Sequence, residues 1–248
     1  MKKVFFLGGI DAEMNEIISV LKLHNMEFYN KNLGWGAAAS AYKDEIDEAI
    51  KNGEMPCLIE LEIDISLPQG GVIIIDHHDK RAGQPASILQ VLNLLGLEPT
   101  RWQQLIAAND SAYIPGMIRI NASEEEIAKV RAADRSAQGI TSEQEEMAEE
   151  AISNREEEGL LTVVHLPHSK CATVTDRLFG QYDNLLILSE DGEVNFFGDG
   201  ALCATLKERF KGWNGGSGLG QGGGSAYWGG YPNQNEVEKF IREYFVHE

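Results

Sequence analysis

The chain has little of what marks disulfide-stapled, membrane-spanning or polyanion-gripping proteins. Only three cysteines occur in 248 residues, Cys57, Cys171 and Cys203, widely spaced and without a pairing pattern. A disulfide framework is thereby excluded, and the thiols read as reduced groups of a cytoplasmic protein. No apolar run approaches the roughly 20 residues of a membrane-spanning helix, so no membrane partner is expected. The apolar stretch after Met1-Lys2-Lys3 is short and is interrupted by Asp11 and Glu13, which reads as a first strand rather than a leader. Basic residues are scarce as well. Against 39 Asp and Glu stand 21 Lys and Arg, a formal net charge of −18. Proteins that hold long nucleic acid neutralise phosphates with a basic face, so long nucleic acid is disfavoured as a partner. A small phosphorylated substrate, held by a divalent cation and main-chain N–H groups, fits the acidic balance better. No internal repeat is visible.

The pattern that is present is α/β. Residues 3–9, KVFFLGG, read as a strand ending in glycines, and a helix with Ile17, Ile18, Val20 and Leu21 on its buried side follows. Residues 57–65, CLIELEIDI, read as a strand whose Glu60, Glu62 and Asp64 share a face by the period of two. Residues 72–75, VIII, form a β-branched run of the kind buried in parallel sheets, and it leads into Asp76-His77-His78-Asp79. Helices are expected at 87–95 and 100–109, with Asp110 ending the second. This alternation predicts a parallel sheet covered by helices. Residues 123–158 lack any strand signal and read as a connector of two helices, with a break near Gly139-Ile140 and Thr141 as an N-cap. Beyond them come a strand at 160–166, a hairpin around Glu190-Asp191-Gly192, a helix at 202–210, a Gly-rich stretch at 212–230 and a last helix at 235–245. The expected domains are thus 1–122, a connector at 123–158, and a smaller α+β domain at 159–248.

Several candidate chemical groups fall at strand ends. Asp11 and Glu13 follow the first strand, Asp64 ends the strand before the DHH stretch, and Asp76 and His77 end the next. Ligands of open α/β sheets bind beyond the carboxyl ends of the strands. Carboxylates converging there repel one another, and a divalent cation resolves the repulsion. Carboxylate oxygens with an imidazole suit manganese, iron or zinc. Two such ions clamp a phosphoryl group and activate a water. In the Gly-rich stretch, consecutive glycines let main-chain N–H groups cradle an anion. The flanking Trp213, Tyr227, Trp228 and Tyr231 either pack to order that stretch or stack on a base.

Taken together, GGIDAEM, EIDIS, IDHHD and AAND, with GGSGLGQGGGSAYWGG in the C-terminal half, resemble the DHH phosphoesterase superfamily, in its RecJ-like and oligoribonuclease-like members with a DHH-associated C-terminal domain. The resemblance implies a parallel sheet with helices on both faces, a smaller α+β domain, and an active site in the cleft between them. It implies one ion held by Asp11 and Asp64, and another by Glu13, Asp64, His77 and Asp110. Asp76 would support the ligands from behind, and His78 would sit near the phosphate. Gly222, Gly223, Gly224 and Ser225 would bind the far end of the substrate. The implied cofactor is manganese, as one or two ions, and the implied activity is hydrolysis of a small nucleotide-like phosphodiester, a di- or oligonucleotide. The family contains dimers, so a homodimer is among the expected states. The chain departs from the family pattern at Leu7, at Glu13 and in the absence of a His from the glycine stretch. Two alternatives follow: a phosphoesterase acting on a non-nucleotide substrate, and a catalytically silent nucleotide-binding module.

Overall fold

The computed structural model describes residues 1–223 and 225–246. The chain forms two compact units, Met1–Gly139 and Ile140–Glu248. The first is built on a four-stranded, all-parallel sheet. In chain order it holds β1 (Lys3–Leu7), α1 (Ala12–Leu23), β2 (Glu27–Asn30), α2 (Lys43–Lys51), β3 (Met55–Ile59), β4 (Ile73–Ile75), α3 (Ser87–Leu95), α4 (Arg101–Arg119) and α5 (Glu124–Ala137). The strand order is β2-β1-β3-β4. The period of two in KVFFL sorts its side chains between the sheet's faces. Phe5 and Leu7 join Met14, Ile17 and Leu21 of α1 and Ile88 and Val91 of α3. Val4 and Phe6 join Tyr42 and, from α2, Ile46 and Ala49. Helices therefore cover both faces, and the two central strands, β1 and β3, are buried on both.

The chain leaves β1 for β2 on one side and returns to β3 on the other. The order reverses between β1 and β3, which makes their carboxyl ends the switch point of the sheet. In register Leu7 lies opposite Ile59, so the residues just beyond, Gly8 and Glu60, emerge side by side. A side chain at Gly8 would stand 2.6 Å from the Glu60 carbonyl oxygen, so only glycine lets the two chains leave so close together.

β3 is shorter than the alternating pattern predicts. It ends at Ile59, and Glu60 takes a left-handed backbone with φ of 51°. Beyond it Leu61 is buried, whereas Glu62, Ile63 and Asp64 are exposed, so the period of two stops at the strand end. α4 is longer than expected. It bends at Ala112 and Tyr113 and resumes as Ile114 to Arg119, with Pro115 in the first turn after the bend, where a missing N–H costs little.

The stretch read as a connector is divided between the units. α5 packs on α1 and α4 and adds Val130 to a cluster with Leu105, Ile106 and Met117. α6 (Ser142–Ser153) lays Ala148 and Ala151 on the second sheet, against Val164 and Leu166. It starts where expected, at Thr141, whose hydroxyl accepts from Gln144 N at 3.3 Å while the Gln144 side chain accepts from Thr141 N at 3.0 Å. Replacing Thr141 by alanine removes this reciprocal cap and is expected to cost about 1 kcal/mol, read as a lower urea midpoint at unchanged slope.

The second unit continues with β5 (Glu156–Glu158), β6 (Leu161–Leu166), α7 (Ala172–Thr175), β7 (Asn184–Ser189), β8 (Val194–Asp199), α8 (Gly200–Phe210), β9 (Trp213–Gly215), β10 (Ser225–Gly230) and α9 (Gln234–Val246). Its six-stranded mixed sheet runs β5-β6-β7-β8-β10-β9, with β6 and β7 parallel and the other pairs antiparallel. One face holds Leu202, Leu206, Trp228, Val237 and Ile241. β7 and β8 form the expected hairpin.

Much of the Gly-rich stretch is this sheet's edge rather than a loop. β9 and β10 pair within it, and Trp228 is fully buried with its indole N–H on Lys211 O at 2.7 Å. Gly212, at φ of 82°, sits where a side chain would collide with the Gly229 carbonyl. Among the described residues, no helix is long and apolar enough to cross a membrane.

Candidate metal centre

Side chains from four segments meet at the switch point. Glu13 arrives on the first turn of α1, Glu60 just past β3, His77 and His78 past β4, and Asp110 on α4 ahead of its bend. Glu60, His77, His78 and Asp110 each offer a ligand atom, and these atoms all lie within 4.8 Å of one another. His77 Nε2 is the hub. It lies 2.5 Å from Asp110 Oδ2, 3.7 Å from Glu60 Oε1 and 3.8 Å from Glu13 Oε2.

Local structure holds each donor. Glu60 N donates to Ile75 O at 2.9 Å, which ties the end of β3 to that of β4. Glu13 has one oxygen occupied, Oε1, by Ile88 N at 2.9 Å in the first turn of α3. Asp76 Oδ1 accepts from His78 N at 3.0 Å and lies 3.1 Å from His78 Nδ1. With Nδ1 so engaged, Nε2 is the ring nitrogen left for a ligand, the arrangement in which a carboxylate orients a metal-binding imidazole.

The electrostatics are those of an acidic group packed for a cation. Burial raises the Glu13 carboxyl well above its ordinary value, and the Asp110 and Glu60 charges push it further. Burial likewise raises Glu60. Asp11 is pushed up to about 6, first by burial and then by Glu60 and Asp110, against the lowering effect of its bond from Met14 N. His77 is raised, chiefly by the Asp110 carboxylate. Among the described residues, Glu13 Oε2 and Glu60 Oε1 are buried without a hydrogen-bond partner, and His77 Nε2 and Asp110 Oδ2, buried beside them, are paired with each other at 2.5 Å. Buried carboxylate oxygens left without hydrogen bonds beside a buried ion pair are costly unless something binds them. Hard carboxylate oxygens with imidazole nitrogen fit a divalent cation.

Of the residues named from the sequence, Glu13, His77, His78 and Asp110 come together here, with Asp76 against His78. Asp11 stands at the edge, where its Oδ1 caps α1 through Met14 N at 2.8 Å. Asp64 does not join them. It is exposed, its Oδ1 accepts from Ser40 N at 2.8 Å, and hydrogen bonding from the Ser40 side chain and then its N–H holds the carboxyl below its usual value. The acid at the end of β3 is Glu60, which the alternating reading of CLIELEIDI carried past. The available signal was local: Glu60 is the first charge after the apolar run Cys57-Leu58-Ile59. Gly222, Gly223 and Ser225 are exposed in the second unit, where Gly223 N donates to Asp199 Oδ2 at 2.6 Å. Gly224 lies outside the described residues.

Fold and site together define an α/β domain with a buried carboxylate–imidazole cluster at its switch point. No family model matches the chain, and no curated protein does. Among solved structures, it is similar to the pGpG-specific phosphodiesterase PggH from Vibrio cholerae, with a TM-score of 0.49 and 11% identity over 97% of each chain. An uncharacterized protein from Helicobacter pylori G27 matches with a TM-score of 0.28 and 13% identity, over 99% of this chain and 100% of that one. At these scores neither likeness carries weight for the activity, which has to be argued from the site.

Proposed function

We propose that this protein is a metal-dependent phosphoesterase that hydrolyses a small nucleotide-like phosphodiester, a di- or short oligonucleotide. One observation carries the reading: four buried ligand atoms, from Glu13, Glu60, His77 and Asp110, converge at the sheet's switch point, the first two without a hydrogen-bond partner and the last two paired with each other. The motif order GGIDAEM, IDHHD and AAND supports it, since these segments supply Glu13, the two histidines and Asp110. In this reading Glu13, Glu60, His77 and Asp110 hold a divalent cation, manganese by the resemblance, and Asp11 extends the site toward a second. Such a cation, when bound, polarises a phosphoryl oxygen and lowers the pKa of a bound water. The chain's own part is positioning. Asp76 fixes the ring of His78, so its Nε2 is presented either as a further ligand or to a phosphoryl oxygen. The buried carboxylates keep the centre dry on its protein side, which strengthens each charge interaction there.

The test is a manganese titration followed by a substrate panel. Manganese at about 100 times its dissociation constant is expected to stabilise the fold by about 2.7 kcal/mol, seen as a raised melting temperature. Manganese-dependent turnover of linear dinucleotides, above pyrophosphate and sugar phosphates, is the expected profile. A melting curve that ignores manganese, together with no turnover of any panel member, sinks the reading.

A further inference from the structure

We infer that Trp35 is a nucleobase-stacking residue of this site, so that the substrate class is a phosphoester carrying a heteroaromatic base. The inference rests on the phosphoesterase reading above and adds the residue that holds the base. Trp35 is 77% exposed, an unusual state for the largest apolar side chain. Its indole meets the His78 ring edge to face, with centroids 6.2 Å apart and planes at 87°. His78 in turn touches His77, at 4.3 Å between centroids. An open aromatic face thus stands two rings from the hub of the cluster.

The loop that carries Trp35 is tied to the strand ends that carry the acids. On its near side Gly9 N donates to Leu33 O at 3.0 Å, two residues from Asp11. On its far side Glu62 N donates to Ala37 O and Ala39 N to Glu62 O, both at 2.8 Å, two residues from Glu60. Asp64 completes the second tie through Ser40 N. The exposed carboxylate that does not join the cluster therefore braces this loop. Between the ties lies Gly34-Trp35-Gly36, whose glycines have no atom near where a side chain would be. The ring is mostly exposed and has a fixed address beside His78. What fits there is a flat, polarizable group attached to the phosphate that the centre holds. A nucleobase is such a group, and aromatic stacking accepts any base because every base has a π face. A sugar phosphate or pyrophosphate has no π face to stack on the ring.

The experiment compares wild type, Trp35→Ala and Trp35→Phe in the full chain with manganese. The substrates are a linear diadenosine dinucleotide and its abasic analogue. Loss of one base–aromatic stack is expected to raise KM for the dinucleotide about 5- to 100-fold in Trp35→Ala, with kcat little changed. Trp35→Phe recovers most of the loss, and the abasic analogue is indifferent to both substitutions. Wild-type KM in Trp35→Ala, with turnover intact, overturns the inference and leaves the phosphoesterase reading standing. If the wild type turns over neither substrate, the phosphoesterase reading fails and binding decides the inference. Adenosine 5′-monophosphate, but not ribose 5-phosphate, is then expected to quench tryptophan fluorescence in the wild type and not in Trp35→Phe. Equal quenching in both proteins, or none in either, overturns it.

Discussion

Glu60→Gln and His77→Ala are each expected to lower metal-dependent turnover by more than about 100-fold, beyond what losing an outer-sphere partner of a metal ligand costs. Both remove a donor from the centre of the cluster, and His77 Nε2 lies within 3.8 Å of all three carboxylates. The manganese-induced rise in melting temperature is expected to vanish with the activity. Without metal the two variants part company. Glutamine at 60 keeps the shape of the side chain and removes one of several like charges from a buried group, so the metal-free protein melts at the same temperature or higher. Alanine at 77 takes away the one group that balances Asp110, so the metal-free protein melts lower. Asp64→Ala is the informative contrast. Its carboxylate is exposed and bonded to Ser40 N, and its loss is expected to leave kcat within about twofold, as for most surface changes. Loss of turnover in Asp64→Ala with full activity in Glu60→Gln would return the ligand role from Glu60 to Asp64.

The largest effect on stability is expected from Arg131→Met. Arg131 is buried on α5, where its Nη1 donates to Asp134 Oδ2 at 2.8 Å and to Asn109 Oδ1 at 2.9 Å, and its guanidinium lies over the Tyr113 ring at 4.6 Å. Asp134 in turn accepts from Ala12 N at 3.1 Å. Removing the cation leaves the Asp134 carboxylate buried without its charge partner, which costs about 3–5 kcal/mol. A urea melt measures this directly. The double variant Arg131→Met with Asp134→Leu is expected to regain part of the loss, because it also removes the stranded charge. It does not regain all of it, since Ala12 N then has no acceptor. The network also reaches the candidate metal centre: Asn109 precedes Asp110, and Ala12 follows Asp11. A weaker manganese response in Arg131→Met, at temperatures where the protein is still folded, is the expected sign that α5 positions those two acids. An unchanged urea midpoint would show that the pair contributes nothing net.

Much of this was legible in local pattern, and the physical reason differs from element to element. The alternation in KVFFL predicts a strand buried on both faces, because period two sorts side chains to opposite sides and both are apolar. α3 was readable from its apolar spacing and Gly96, and α6 from Thr141, because helix ends are chemical events within four residues. His77 and His78 were legible as candidates because they adjoin an apolar run that reads as a buried strand, and Asp110 because it ends the AAND motif of the resemblance. Composition alone disfavoured a basic nucleic-acid face.

What local pattern could not supply was a set of decisions taken between segments distant in sequence. Whether Glu60 or Asp64 reaches the centre depends on where β3 stops. That is decided by its pairing with β1, which puts Glu60 level with Gly8, and by its bond to Ile75 at the end of β4. The glutamate's left-handed backbone, unfavourable in isolation, is held by those neighbours. The division of residues 123–158 between two units was equally invisible, because α5 and α6 have similar composition and only their partners differ. Much of the Gly-rich stretch became paired strand for the same reason. Its glycines let backbones touch, a property that shows only when the second backbone is in place. Trp35 read as one aromatic in a small-residue loop until the sheet brought that loop beside His78. The sequence carried the inventory of groups and the ends of most elements, because those depend on neighbours a few residues away. Which carboxylates meet, and which ring stands over them, was decided by strand order and register, because these join residues tens of positions apart.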